Sequence, residues 1–490
     1  MKKLDYKLPP MEHQKKAMAY AWPHYNFAYF MEMGTGKTYA AINLAAARFI
    51  NRQINALVVV CPTPIKLVWE SEFEKFCPID YEVFVMQSGM NAEAKKFAAK
   101  ESDALKVFVV GIEALSQGKA GEIAAAFAKS HETMTVIDEA SGIKSERRGR
   151  KKTARTWACY AIGEQSIYRL IMTGTPITQG VEDLYSQFRF LNQWIIGCKS
   201  YFQFKNLYCQ VGGFENRQIV GYQNVTQLLE KVEPYVYSVR TDECIDMPEK
   251  SYRQLFVEPT DDQKRAMQSL KDLFEAEIEG DSLVTATILE RLTRYQQIVG
   301  GNFPFNLEDG GFGTKPIPGP NPKLQALVED IKTLGVTEKV VIWARFRPEV
   351  DLVSKTLRSE FGDRSVVEFH GGVDYADRKN AIESFQDDSS GVRFFVSNQA
   401  VGGMGITLTA GRYTYYYSND FSYQNRVQSE ARTWRNGQHR KCIYTDIIMR
   451  VPYDTMIAKA ITRKQDLATF VDSEIETIKK GGKVSFTINN

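Results

Sequence analysis

Met33-Gly34-Thr35-Gly36-Lys37-Thr38 follows a short apolar run, Phe27 to Met31, and opens a stretch of helical periodicity from Lys37 to Ile50. Gly34 and Gly36, with Thr35 between them, let backbone N–H groups turn inward around phosphate oxygens, and the helix N-terminus adds positive potential. Lys37 is placed to reach the β- and γ-phosphates, and the Thr38 hydroxyl to ligate Mg²⁺. The eight-residue P-loop pattern puts glycine at position 31, where this chain has Met31, but the short G-x-G-K-T form keeps the mechanics.

Val136-Ile137-Asp138-Glu139 ends a second apolar run with two adjacent carboxylates. Beside a phosphate loop, one acid must hold Mg²⁺ and another must orient the attacking water. Asp138 takes the metal and Glu139 the water. Together the two motifs point to ATP hydrolysis with ATP and Mg²⁺ as cofactors.

Other chemistries find no support. The seven cysteines, at 61, 77, 159, 198, 209, 244 and 442, contain no CxxC pair, and the five histidines do not fall at metal-ligand spacing. The formal net charge is +3, from 62 Lys and Arg against 59 Asp and Glu, so binding to a polyanion needs a local basic surface. One exists. Residues 144 to 155 carry seven basic side chains, including Arg147, Arg148 and Lys151, against the single acid Glu146. That segment reads equally as a phosphate-tracking surface and as a solvated loop and helix face.

The elements that position these residues alternate. Phe27 to Met31, Ala56 to Cys61, Tyr81 to Met86, Lys106 to Val110, Met134 to Ile137 and Arg169 to Met172 read as buried strands, with helical stretches between them. Such alternation predicts a parallel sheet covered on both faces. The rhythm returns at Lys339 to Trp343, Ser365 to Phe369, Val392 to Ser397, Tyr413 to Tyr417 and Lys441 to Ile447. The boundaries expected are a first α/β lobe over 1–196, an insertion and linker over 197–320, and a second lobe over 321–490. Residues 300 to 322 hold six glycines and five prolines, which predicts an exposed loop. Tyr453 to Ile478 reads as a long amphipathic helix. Apolar residues make up 43% and charged residues 25%, which excludes disordered, collagen-like and mainly coiled-coil chains. No apolar run approaches membrane-spanning length, so a soluble, cytoplasmic protein is expected.

With these motifs in order, the chain resembles superfamily-two helicases and, more closely, the Swi/Snf family of ATP-dependent DNA translocases. Leu8 to Gln14 resembles the glutamine motif before the P-loop. Val59-Val60-Cys61-Pro62 followed by Trp69, Glu70 and Phe73 resembles motif Ia. D-E-A-S-G-I-K from Asp138 to Lys144 resembles motif II, with Ser141 where the family usually has His or Gln. M-T-G-T-P-I from Met172 resembles motif III, and Arg240-Thr241 with Met247 to Lys250 resembles the segment joining the two lobes. Gly402 to Thr409 resembles motif V, with Thr407 in the usual place of Asn. Q-S-E-A-R-T-W-R-N-G-Q from Gln428 to Gln438 resembles motif VI, with Ala431, Trp434 and Asn436 departing from it.

The resemblance implies two tandem RecA-like domains with a mainly helical insertion, hydrolysing ATP in the cleft between lobes. It implies Gln14 as adenine reader, Gly405 and Gln428 as further nucleotide contacts, and Arg435 as arginine finger assisted by Arg432. Those arginines, three apart on a helical segment, are expected on one face. It implies phosphate contacts to double-stranded, possibly forked or branched, DNA from Thr63, Lys66, Thr173, Arg345 and His370, beside Arg147, Arg148 and Lys151. Such contacts position without reading sequence. The minimal form is closer to bacterial or phage relatives than to a chromatin remodeller. A translocase on duplex DNA is the leading expectation, against a strand-separating or branch-migrating helicase and an ATP-gated clamp without turnover.

Overall fold

The computed structural model describes residues 2–116, 118–143, 151–177, 180–212, 218–244, 246–276, 285–306, 312–402 and 405–463. The chain divides into two compact units, Met1–Asp246 and Met247–Asn490. Among the described residues no helix is long and apolar enough to cross a membrane.

The first unit supplies strands β1 (Asn26–Met31), β2 (Ala56–Cys61), β3 (Tyr81–Val85), β4 (Leu105–Gly111), β5 (Thr133–Asp138), β6 (Tyr168–Met172), β7 (Cys209–Gly212), β8 (Gln218–Tyr222) and β9 (Val236–Val239). Seven of them form one parallel sheet in the order β3-β4-β2-β5-β6-β1-β9, and β7 and β8 make a separate antiparallel hairpin. The run Ala56–Cys61 is buried throughout, as a central parallel strand must be. Its side chains alternate between two cores: Val58 and Val60 join one layer, Leu57, Val59 and Cys61 the other. Burying one such Val or Leu contributes about 1.5–3 kcal/mol, which fixes the register firmly.

The second unit supplies β10 (Lys250–Val257), β11 (Asn302–Asn306), β12 (Phe312–Pro316), β13 (Lys339–Ala344), β14 (Val366–Phe369), β15 (Phe394–Asn398), β16 (Gly411–Tyr416) and β17 (Cys442–Met449). Six make a second parallel sheet in the order β10-β17-β16-β13-β15-β14. Val340, Ile342 and Ala344 face one core while Val341 and Trp343 face the other. The aromatic run Tyr415, Tyr416 and Tyr417 is fully buried there, in keeping with a core strand rather than a base-stacking surface.

The expected insertion and linker over 197–320 includes the passage from the first unit to the second, between Asp246 and Met247. Its β9 is an edge strand of the first sheet and its β10 an edge strand of the second, so the chain passes from unit to unit between them. Within the Gly/Pro-rich stretch expected as a loop, Asn302–Asn306 and Phe312–Pro316 form the antiparallel pair β11-β12, and residues 317–321 carry no regular element. A two-stranded hairpin tolerates Pro304 and Pro316 because edge N–H groups need no partner. A Cβ on Gly313 would lie 2.6 Å from the Phe305 ring, so a larger residue there would displace that ring. The terminal helix is seen over Pro452–Thr462 with Arg463 as its C-cap, and its expected span from 464 on lies outside the described residues.

Candidate nucleotide site

In open parallel sheets ligands gather beyond the carboxyl ends of the strands. The loop after β1, the carboxylates ending β5 and the Thr173–Pro176 turn after β6 all emerge at that edge of the first sheet. Gly34 and Gly36 sit at φ 86° and 80°, the left-handed region that favours glycine. Gly36 is the N-cap of the helix Lys37–Ile50. A Cβ on Gly36 would also lie 2.2 Å from the Gln14 amide nitrogen.

Gln14 is buried and fastens this loop. Its Oε1 accepts from the Met11 N–H at 2.9 Å and its Nε2 donates to the Thr35 carbonyl at 3.2 Å, where the His13 ring also bonds at 2.7 Å. Lys37 Nζ donates to the carbonyls of Met31 at 2.7 Å and Glu32 at 3.2 Å. Thr38, half-buried, occupies the first turn of the helix.

Asp138 receives the Trp69 indole N–H at 3.0 Å, because the helix Lys66–Phe76 after β2 brings Trp69 across the end of the adjacent β5. Burial pushes the Asp138 carboxyl up to about 6; the Lys37 ammonium and the Trp69 N–H oppose that rise, and the Glu139 carboxylate adds to it. A carboxyl raised in this way from about 4 favours folding most below pH 4, and that contribution is lost as pH rises through about 6. Asp138→Asn is therefore expected to stabilise the protein at pH 8 by on the order of 1–2 kcal/mol, an advantage that fades towards pH 4. Denaturant unfolding at both pH values checks this; equal stability of variant and parent at pH 8 would contradict it.

Glu139 adopts φ 57°, unusual for a residue with a side chain. Conformations of this kind cost about 1–3 kcal/mol and persist when their surroundings hold them. Here two hydroxyls do so. Ser141 Oγ donates to Glu139 Oε1 at 2.6 Å, and Thr173 Oγ1 donates to the same oxygen at 2.8 Å. Ser141 thus joins a direct hydroxyl–carboxylate–hydroxyl connection between the D-E pair and the T-G-T-P turn. The turn is braced in its own right: Thr175 N–H donates to Thr173 Oγ1 at 3.1 Å, and buried Gln187 donates to the Pro176 carbonyl at 2.7 Å. Gly174 passes so close to the loop that a Cβ would meet the Met31 oxygen and the Met33 nitrogen at 3.4 Å.

The residues expected on DNA fare differently. Thr173 is fully buried on Glu139, so its side chain is a brace of the carboxylate rather than a surface contact. Thr63 donates its N–H and hydroxyl to Glu113 at 2.8 and 2.7 Å, and Lys66 donates to the Met86 carbonyl at 2.7 Å. His370 is buried as well. Its Nδ1 accepts from the Gly372 N–H at 3.1 Å and the Arg347 guanidinium at 2.9 Å, which leaves Nε2 to donate to Glu368 at 3.3 Å. Arg345 lies 3.5 Å over the Phe421 ring and donates to Gln296 at 2.7 Å. Arg147 and Arg148 lie outside the described residues, and Lys151 is the first residue of the helix Lys151–Glu164.

In the second unit the helix Tyr423–Thr433 carries Gln428 and Arg432 but stops before Arg435. Arg432 is buried, whereas Arg435 stands half-buried in the following turn with Nη1 on the Ile406 carbonyl at 3.1 Å. The two arginines therefore do not share one helix face. Trp434 ends the helix and donates its indole N–H to the Pro248 carbonyl at 2.6 Å, so it packs within the unit. Gln438 ties the turn down, donating to the carbonyls of Thr409, Gly411 and Thr433. Gly405, at φ 72°, is exposed. The anchor passed over in the sequence is Arg426, buried between Asp446 at 2.5 Å and Glu430 at 2.8 Å, with its guanidinium 3.5 Å over Tyr416.

A glycine loop and an acid pair on the carboxyl edge of one parallel sheet, in a chain with a second parallel sheet, define a P-loop protein of two α/β units. Residues 13–301 match the SNF2-related domain and residues 322–437 the helicase conserved C-terminal domain. The chain belongs to the SNF2-related family. An uncharacterized ATP-dependent helicase of Mycoplasma genitalium is 24% identical over 451 residues, covering 89% of this chain and 39% of that protein. The human DNA excision repair protein ERCC-6 is 22% identical over 442 residues, covering 84% of this chain and 28% of that protein. The chain thus spans less than half the length of these relatives. The Sulfolobus solfataricus SWI2/SNF2 ATPase core in complex with dsDNA is similar at 20% identity and a TM-score of 0.42, with 100% of this chain and 99% of that one covered.

Proposed function

We propose that this chain is an ATP-hydrolysing motor that moves along double-stranded DNA without fully separating its strands. The observation that carries the reading is Glu139, held in a left-handed conformation by Ser141 and Thr173 beside Asp138 and the Lys37 loop. Hydroxyl donors on one oxygen aim the carboxylate, and an aimed carboxylate is what orients a water for in-line attack. Lys37, on leaving the Met31 and Glu32 carbonyls, neutralises the β- and γ-phosphates.

Thr38 and Asp138 are hard oxygen donors of the kind magnesium prefers, and the Trp69 N–H fixes the orientation of the carboxylate. Magnesium, when bound, neutralises charge on the phosphates. Gln14 braces the loop from the adenine side, Arg435 serves as arginine finger from the second unit, and Gly405 and Gln428 contact the nucleotide. The DNA reading is supported by family membership and by repair-protein relatives.

ATP turnover measured without nucleic acid and with single-stranded DNA, duplex DNA, forked DNA and RNA tests the reading. Greatest stimulation by duplex DNA is expected; equal rates in all five conditions would overturn it. The proposed duplex contacts are Arg147, Arg148, Lys151 and Arg345, with Thr63 and Lys66 at the edge of the first sheet. Replacing Arg147, Arg148 and Lys151 with Glu is expected to weaken duplex binding and to reduce the slope of log K against log salt by about 0.9 for each phosphate no longer neutralised. Titrations at several salt concentrations check this; unchanged affinity and slope would place the DNA-binding surface elsewhere.

A further inference from the structure

The loop that carries Lys37 is fastened a second time, from the end of the chain segment that leaves the first unit. β9 pairs in parallel with β1, Met31 opposite Val239, and the Glu32 N–H donates to the Val239 carbonyl at 3.0 Å. Two residues beyond that strand, Thr241 is buried to 1% exposure. Its N–H donates to Glu32 Oε2 at 3.0 Å and its hydroxyl donates to the Met33 carbonyl at 2.9 Å. Lys37 holds the carbonyls of Met31 and Glu32 on the same loop. Lys37 and Thr241 therefore grip successive peptide units, Met31 and Glu32 by the one and Met33 by the other. The first unit ends at Asp246, so the chain departs for the second unit within six residues of Thr241.

From this we infer that Thr241, with Glu32, is a positioning residue that couples the state of the phosphate loop to the segment leading into the second unit. The inference rests on the nucleotide reading proposed above. When Lys37 moves to a phosphate, the loop loses a donor at Met31 and Glu32; the Val239 carbonyl and the Thr35 hydroxyl still hold Glu32, and the Thr241 hydroxyl holds the Met33 carbonyl. Any displacement of those peptides then pulls on the Thr241 hydroxyl directly, through the Met33 carbonyl, and on its N–H only through the Glu32 side chain. A buried hydroxyl on a carbonyl and a backbone N–H on a carboxylate are short-range and directional, so they transmit a shift that loose packing would absorb.

Hydrogen exchange on the full chain tests this, with Mg·ADP and a non-hydrolysable ATP analogue as probes, read at residues 33–41 and 240–250. In the parent and in Thr241→Ser, nucleotide is expected to slow exchange in both segments by about tenfold. In Thr241→Val, protection of 33–41 and the thermal midpoint are retained, and protection of 240–250 is lost. Glu32→Gln, which keeps the side-chain shape, is expected to fall between the two. Full protection of 240–250 in Thr241→Val would overturn the inference, as would parallel loss in both segments, which marks a purely local role. Absence of protection at 33–41 in the parent would instead refute the nucleotide reading, and this inference with it.

Discussion

Glu139→Gln binds ATP with the affinity of the parent and loses about 10²–10⁴ in kcat, the usual contribution of a positioned base. The variant keeps the shape of the side chain and its ability to accept from Ser141 Oγ and Thr173 Oγ1, so the loop and the T-G-T-P turn remain in place. What it removes is the negative charge facing the water. A change confined to kcat identifies an interaction made only in the transition state, whereas an equal loss in nucleotide affinity would mark Glu139 as a structural residue. Thr173→Val gives the complementary signature. It leaves the charge, frees the carboxylate from one of its hydroxyls, and is expected to lose about tenfold in kcat, because misorientation costs less than removal. Steady-state turnover with equilibrium nucleotide binding measures both, and parent-like turnover in Glu139→Gln would defeat the assignment.

Arg435→Ala is expected to lose about 10³ or more in kcat, as removal of an arginine finger does, with little change in folding stability. Its half-exposed guanidinium sits in a turn after the helix, on the carbonyl of Ile406. Arg426→Ala should do the reverse. Its removal leaves Asp446, part-buried and bonded to Asn419, without its charged partner, a change that costs about 3 kcal/mol of stability and acts on activity only through the fold. Thermal unfolding and kcat measured on both variants separate an arginine that serves chemistry from one that serves the core. A stable Arg426→Ala, or an active Arg435→Ala, would contradict this division.

Much of this architecture was legible because parallel strands buried on both faces must be unbroken apolar runs. Ala56–Cys61 shows that pattern over the whole strand, and the second sheet's Lys339–Ala344 shows it from Val340 onward. The phosphate loop was legible for the same local reason, since two glycines before a lysine at a strand-to-helix junction admit few other geometries. The chain between the lobes was harder. Val236–Val239 is a four-residue edge strand with two half-buried positions and one exposed, and so gives no clear period. The Gly/Pro-rich stretch looked irregular because proline and glycine break most elements, yet a two-stranded hairpin accommodates them at its edges and close approaches.

Among the site residues, what spacing failed to show was depth and long-range partnership. Thr173 sits in a motif associated with DNA, but burial turned its hydroxyl towards Glu139. Arg432 and Arg435 are three apart, and a helical spacing only has meaning while the helix lasts; it ends at Thr433. Thr241 and Glu32 are separated by 209 residues, and no local pattern announces a bond between them. The departure at Ser141 was visible, but not its consequence: a short hydroxyl two residues along a left-handed turn reaches the carboxylate directly.

On the proposed function, hydrolysis at Lys37, Asp138 and Glu139 drives movement along duplex DNA. Displacement of a third strand from a triplex, measured beside strand separation on a fork, tests it most directly. ATP-dependent triplex displacement by the parent, absent in Glu139→Gln and without release of the forked strand, is the result expected. Duplex-stimulated ATP turnover with no triplex displacement, or strand release without it, would contradict the account.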